Sequence, residues 1–278
     1  MNSQNSSSDP APQDFWVPDW GLAKLGVRVH LSLRDGGVSN APYESMNLGL
    51  HVGDDPQAVE KNRALYQARL GAKAVFFDQV HCTQCLPIDH ASPNGLKADG
   101  AYTLEKGLAC TMMVADCMPL LLADAKARVV AAVHVGWRGL VGLGEGGQLL
   151  PQGVIQSGVK QLRQTLQVHF GDEEPTLMAW LGPCIGANAF EVGPEVVKAF
   201  LMRDAQHQPF LVPHPHSPGK WLADLPNLVR HELLSLGVAR QSGNDGSSLW
   251  CTVSRPDLYF SHRRDQKTGR FAASIWLA

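Results

Sequence analysis

A chain of 278 residues, 44% hydrophobic and 18% charged, has the composition of a soluble globular protein and length for one large domain or two small ones. A net charge of −2 gives no electrostatic argument for nucleic acid or an anionic membrane as partner, and no run of about 18 apolar residues offers a membrane span. The first residues, MNSQNSSSDPAPQD, have neither a basic start nor an apolar segment, so 1–14 read as a disordered tail rather than a signal peptide, with a single domain over 15–278. Six irregularly spaced cysteines then read as reduced thiols and ligands, which places the protein in the cytoplasm.

In chain order, Val27, Val29, Leu31 and Leu33 alternate with Arg28, His30 and Ser32, the period of a strand. Next comes Arg34-Asp35-Gly36-Gly37-Val38-Ser39. Adjacent glycines let the backbone turn sharply with its N–H groups outward, so this is either a phosphate-holding loop with Arg34 beside it or a plain turn with a solvated arginine. Asn47 is a polar amide inside an apolar stretch. Asp54 or Asp55 caps a helix to about Leu70, to which Leu65 and Ala68 with Val59 and Asn62 give an amphipathic pattern. The strand-like run 75–81 ends on His81. Cys82-Thr83-Gln84-Cys85 lacks a second CxxC and a thioredoxin-like setting, so these two cysteines read as incidental.

Asp99-Gly100 and Gly107 mark turns around another short strand. It leads to the most informative stretch, 115–139, ADCMPLLLADAKARVVAAVHVGWRG. Met118 to Ala123 and Val129 to Val135 are β-compatible runs flanking Asp124-Ala125-Lys126-Ala127, which predicts a hairpin. A turn centred on Ala125-Lys126 pairs Asp124 with Ala127 and Cys117 with His134. At directly opposite positions a thiolate and an imidazole can share a metal or act as nucleophile and base. Ala-Lys is poor chemistry for a two-residue turn, so the register is open to a shift. His81 becomes relevant as a third ligand, since a catalytic zinc takes three protein ligands and keeps a position open.

Arg138 leaves the hairpin toward a glycine-rich path and a helix over 153–168, with no Walker lysine or GxGxxG. The strand 177–181 ends in Gly-Pro-Cys-Ile-Gly, and Pro194 starts a helix to about Met202. His214 and His216 lie in a proline-rich segment that reads as a surface loop. A helix over 223–236 ends before Gly237. Arg263 and Arg264, beside His262, form a solvated cluster or an anion clamp. Hairpins mixed with four or five helices argue an α+β fold.

QVH at 79–81, ADCMPLLL at 115–122, AVHVGWRGL at 132–140, LGPCIG at 181–186, FEVG at 190–193, and SHRRD with TGR over 261–270 together resemble the multicopper polyphenol oxidoreductase (laccase) domain family. RDGGVS at 34–39 and MNLG at 46–49 resemble its N-terminal motif. Members are also described as purine nucleoside phosphorylases with adenosine deaminase activity, and one bacterial branch as a peptidoglycan editing factor. The resemblance implies a single four-layer α/β/β/α sandwich and a zinc site on His81, Cys117 and His134. It also gives weight to Arg34 and Asn47.

Zinc held by one thiolate and two imidazoles keeps a positive charge and an open position, which suits hydrolytic attack on a purine carbon. Phosphorolysis needs cations for phosphate, for which Arg34, Arg138, Arg263 and Arg264 are available, and donors for the leaving purine. The expectation, which rests on the resemblance with the open zinc position as physical support, is a zinc-dependent purine nucleoside phosphorylase acting with phosphate on adenosine, inosine and methylthioadenosine, with Cys117, Arg34 and Arg138 in catalysis and Asn47, Arg263 and Arg264 binding substrate. Three other readings stand beside it. One is an amidase removing a misincorporated serine from a UDP-linked cell-wall precursor, and another a polyphenol oxidase. The third is a binding protein with a structural zinc closed by Cys82, Cys85 or Cys184. Copper is the weaker metal, because the HxH of His214 and His216 lies in the proline-rich loop. An open site is expected, since neighbouring strand residues face opposite ways and Cys82 should turn from a metal held by His81.

Overall fold

The computed structural model describes residues 20–144 and 146–278; the expected tail lies outside them. Chain order begins β1 (Val27–Leu31), α1 (Pro56–Leu70), β2 (Lys73–Asp78), β3 (Cys85–Pro87), β4 (Leu96–Lys97), β5 (Gly100–Thr103) and β6 (Leu108–Val114). The hairpin β7 (Met118–Asp124) and β8 (Val130–Val135) follows, then α2 (Trp137–Val141), α3 (Val154–Phe170), β9 (Leu177–Leu181) and β10 (Glu191–Val192). The last third holds α4 (Pro194–Arg203), β11 (Leu211–Pro213), β12 (Trp221–Ala223), α5 (Leu225–Ser235), β13 (Arg240–Gly243), α6 (His262–Asp265) and β14 (Phe271–Leu277). The fold is α+β. One mixed sheet runs β1-β14-β6-β2-β4, a second β13-β9-β7-β8-β5-β3, and β10-β12-β11 form a small antiparallel sheet. No helix among the described residues is long and apolar enough to cross a membrane.

Strand period 2 divides the side chains among three cores. On β7, Leu120 and Leu122 pack with Ile155 and Val159 of α3, Phe200 of α4 and Leu228 of α5. Leu121 and Ala123, between and beyond them, enter a core shared by both large sheets, with Met112 of β6 and Ile275 of β14. On β14, Ala272 and Trp276 instead meet Tyr66 and Leu70 of α1. Strands buried on both faces need no polar alternation, which is why β7 and β8 read as largely apolar runs.

Helix α1 is capped by Asp55, whose carboxylate accepts from Gln57 N at 3.0 Å, and ends at Gly71 with φ 63°. Its inward face is Val59, Asn62, Tyr66 and Leu70. Leu65 and Ala68, expected on that face, point outward: successive inward positions are three or four apart, and 65 and 68 fall off that line. Asn62 is fully buried; its amide donates to Ser39 Oγ, Ser45 O and Asn47 O and accepts from Val38 N. One side chain thus pins the glycine-containing loop that follows β1.

Candidate functional site

The hairpin forms, with a register different from the expected one. Pro119, not Cys117, lies opposite His134, and Met118 opposite Val135. The strands separate after Ala123 and Val130, leaving a four-residue turn over 125–128. Ala127 there takes φ 56°, and Arg128 pairs with Asp124 at 2.6 Å. Ala-Lys does not make a two-residue turn, so the chain adds residues to close the loop. The displacement is two positions, an even number, so every side chain keeps its face. Cys117, one residue ahead of β7, becomes a diagonal neighbour of His134.

His81 arrives from the loop beyond β2 rather than on a strand, with φ 59°. Its Nε2 lies 3.6 Å from Cys117 Sγ, and its ring stands edge-on to His134 with centroids 4.9 Å apart. One ligating atom from each of the three lies within 4.8 Å of the others. Asp99 sets this geometry. Its Oδ1 accepts from His134 Nδ1 at 2.6 Å, which directs Nε2 to the cluster, and its Oδ2 accepts from Val80 N and Cys82 N at 3.1 and 2.7 Å. Asp99, read from sequence as part of a turn, thus braces one ligand and the loop carrying another. The pairing of Gly100 with Val133 puts Asp99 beside His134, a signal visible only with the β5–β8 register.

Cys117 has the electrostatics of a ligand. Burial pushes its thiol up, but the charge and hydrogen bonds of His134, with those of His81, prevail and bring its pKa down to about 6. Burial alone would lower His134; the Cys117 thiolate and Asp99 raise it. A thiolate, two imidazoles and a carboxylate behind one of them form a donor set that fits a borderline-soft divalent ion. The backbone leaves room for these donors. A Cβ on Gly136 would stand 2.6 Å from His81 Cδ2 and 3.0 Å from Cys117 Sγ.

The other cysteines stay outside the group of three. Cys82 is held with its N–H on Asp99, and burial pushes its thiol up to about 11. The alternation argument for its orientation does not apply, because β2 ends at Asp78. Cys85 is buried in β3 with its thiol up at about 12, and Cys184 donates to Ile185 O. All six cysteines are unpaired.

The cluster lies in a cavity of about 420 Å³, within the usual ligand-pocket range of about 300–1,000 Å³. Phe190 and Trp137 supply apolar wall, and Arg263 and Arg270 supply positive charge. Asp116, at φ 93°, accepts from Thr252 Oγ1 and from Arg263 N, both at 2.6 Å. Of four non-glycine residues with positive φ among those described, His81 and Asp116 line this cavity, a concentration of backbone strain typical of functional sites.

The arginines named from sequence separate by position. Arg263 lines the cavity, with its guanidinium 5.8 Å from the Phe190 ring. Arg138 does not line it; its guanidinium lies 5.5 Å from the ring of Trp137. Arg34 donates to Glu44 O and packs 5.3 Å from Phe260, and Arg264 pairs with Asp265 and donates to Thr252 O and Tyr259 O; neither lines the cavity. Asn47 sits one step behind: its Oδ1 accepts from Arg270 N at 2.8 Å and from Gly49 N at 2.9 Å. In sequence, Arg270 reads as part of a turn and of the TGR motif, with no local signal that it enters the cavity. His214 and His216 remain in a loop with rings 6.2 Å apart.

Fold and site define an α+β protein with a Cys-His-His cluster at the wall of a cavity. The profile of the multi-copper polyphenol oxidoreductase laccase family matches residues 28–278, and the chain belongs to that family. It is 41% identical over 263 residues to a purine nucleoside phosphorylase of Pseudomonas aeruginosa, covering 94% of this chain and 98% of that one. Purine nucleoside phosphorylase YfiH of Escherichia coli is 40% identical over the same shares. Among solved structures, a Neisseria meningitidis protein aligns with TM-score 0.79 at 37% identity, covering 95% of this chain and 97% of that one. YlmD from Geobacillus stearothermophilus aligns with TM-score 0.72 at 28% identity, covering 91% and 92%.

Proposed function

We propose that the chain is a zinc-dependent purine nucleoside phosphorylase acting on adenosine, inosine and methylthioadenosine, with a second activity as an adenosine deaminase. The observation that carries this reading is a three-donor cluster facing the same cavity as two arginines and two aromatic walls. His81, Cys117 and His134 would hold the metal. When bound, zinc would supply Lewis acidity toward the purine or toward water.

In phosphorolysis, a phosphate oxygen bonds to C1′ while the C1′–N9 bond breaks, and the purine leaves with the electron pair and takes up a proton. Arg263 and Arg270 offer the positive charge for phosphate. Arg270 is already fixed by its bonds to Thr268 O and Gly269 O and by Asn47 behind it, so little reorganisation accompanies binding. Phe190 and Trp137 suit the faces of a purine ring. His262 donates through Nδ1 to Gln266 O at 2.7 Å, which keeps Nε2 as a proton acceptor at the cavity wall. In deamination, water adds at C6 and ammonia leaves. Arg34 and Arg264 brace the loops around this site in the reading, with Asn47 positioning Arg270. Unpaired cysteines and a nucleoside substrate suit a cytoplasmic protein.

The test is incubation of zinc-loaded protein with adenosine and phosphate, separating products by chromatography. Adenine with ribose-1-phosphate, and inosine as a second product, are expected; Arg263→Ala should raise the KM for phosphate. Absence of all three products, with serine released from the UDP-linked precursor or a phenol oxidised by the same preparation, overturns the assignment.

A further inference from the structure

A second group of metal-type donors stands where α4 meets α5, apart from the cavity. Asp204 follows the last turn of α4, His207 lies in the 3-10 turn Ala205–Phe210, and His231 is on α5. One ligating atom of each lies within 4.8 Å of the other two. His207 is 1% exposed, so any polar atom it leaves without a partner is costly. Its Nδ1 lies 3.0 Å from Phe200 O, which places the proton there and leaves a lone pair on Nε2. That nitrogen is buried and has no hydrogen-bond partner among the described residues. One nitrogen on a carbonyl and the other uncommitted is the state of a metal-ligating histidine.

The remaining donors match. Asp204 Oδ1 accepts from Gln206 N at 2.8 Å, and its Oδ2 stands 3.2 Å from His231 Nε2. Two ligands each about 2.0–2.1 Å from a tetrahedral zinc are about 3.3 Å apart. The rings of His207 and His231 are edge-on with centroids at 5.4 Å. Glu232, next to His231, has a buried oxygen, Oε1, likewise without a hydrogen-bond partner among the described residues, and its carboxyl interacts electrostatically with both histidines. Asp204 and His231 are part-exposed, at 37% and 19% of their side chains, so an ion has a route in.

We propose that Asp204, His207 and His231 form a second metal site, for a divalent ion of zinc's class, that staples the end of α4 to α5. Leu225, the first residue of α5, lines the cavity, so the staple anchors a wall of the first site. The inference does not depend on the reaction proposed above.

Titration of metal-free protein with Co²⁺ tests it. Wild type should take up two equivalents, one with the near-ultraviolet thiolate-to-cobalt band of Cys117 and one without it. His231→Gln should lose only the band-free equivalent and Cys117→Ala only the other. Absence of the band-free equivalent in wild type, or its retention in His231→Gln, overturns the proposal. The thiolate band of His231→Gln also reports an intact fold. Should that variant lose both equivalents, Asp204→Asn decides: loss of the band-free equivalent alone supports the site, and any other result overturns it.

Discussion

Gly136 occupies an extended backbone conformation, φ −85° and ψ 159°, that alanine adopts freely, so its importance is steric. Gly136→Ala should keep the fold and weaken metal binding by about 10- to 100-fold, the scale of other changes beside a ligand. Competition with a chromophoric chelator measures it, and wild-type affinity would refute the crowding argument. Cys117 offers a second test. In metal-free protein, its alkylation by iodoacetamide should hold level above neutral pH and fall as pH drops through about 6, whereas an ordinary thiol keeps gaining rate toward pH 9. The sign follows from a folded pKa below the unfolded one: the thiolate's contribution to stability is full above the unfolded pKa and is lost as pH falls through about 6. Modification mapped by mass spectrometry should spare Cys85, whose thiol burial holds at about 12.

Among elements, the loop after β1 depends on the helix that follows it. Asn62 of α1 makes four hydrogen bonds into it, and through Asn47 the loop fixes the backbone of Arg270. Asn62→Ala leaves buried Ser39 without one donor and Val38 N without its acceptor. The expected loss is about 1–3 kcal/mol by urea denaturation. An unchanged midpoint would mean that water replaces the amide. The MNLG stretch that reads as a motif is therefore a brace for the cavity arginine, and Asn47 itself stays 0% exposed.

For the whole molecule, stability rests on apolar layers at a distance from the chemistry. Leu121 is fully buried between the two large sheets, while its neighbours Leu120 and Leu122 serve the helical side. Leu121→Ala should cost about 2–5 kcal/mol. Metal content per folded molecule should remain that of wild type, read by denaturation alongside elemental analysis. A lost metal would show that the inter-sheet core transmits strain to the cluster.

The apolar runs of β7 to β9, the hairpin, the α1 and α4 start signals and three metal-type donors are legible in the chain, because period, capping chemistry and residue type are local properties. So is the family, carried by motifs spread from Arg34 to Arg270. Register is not: two residues of turn moved Pro119 opposite His134, and the even shift alone kept Cys117 on the right face. Asp99 looked like half of a turn because its partner lies 35 residues away on another strand. Arg34 and Arg264 resembled a clamp until the fold gave them carbonyls and carboxylates of their own, while Arg270 entered the cavity instead. Local sequence specifies which groups a segment carries; which of them share a cavity depends on long-range pairing and burial, which only the assembled sheets decide.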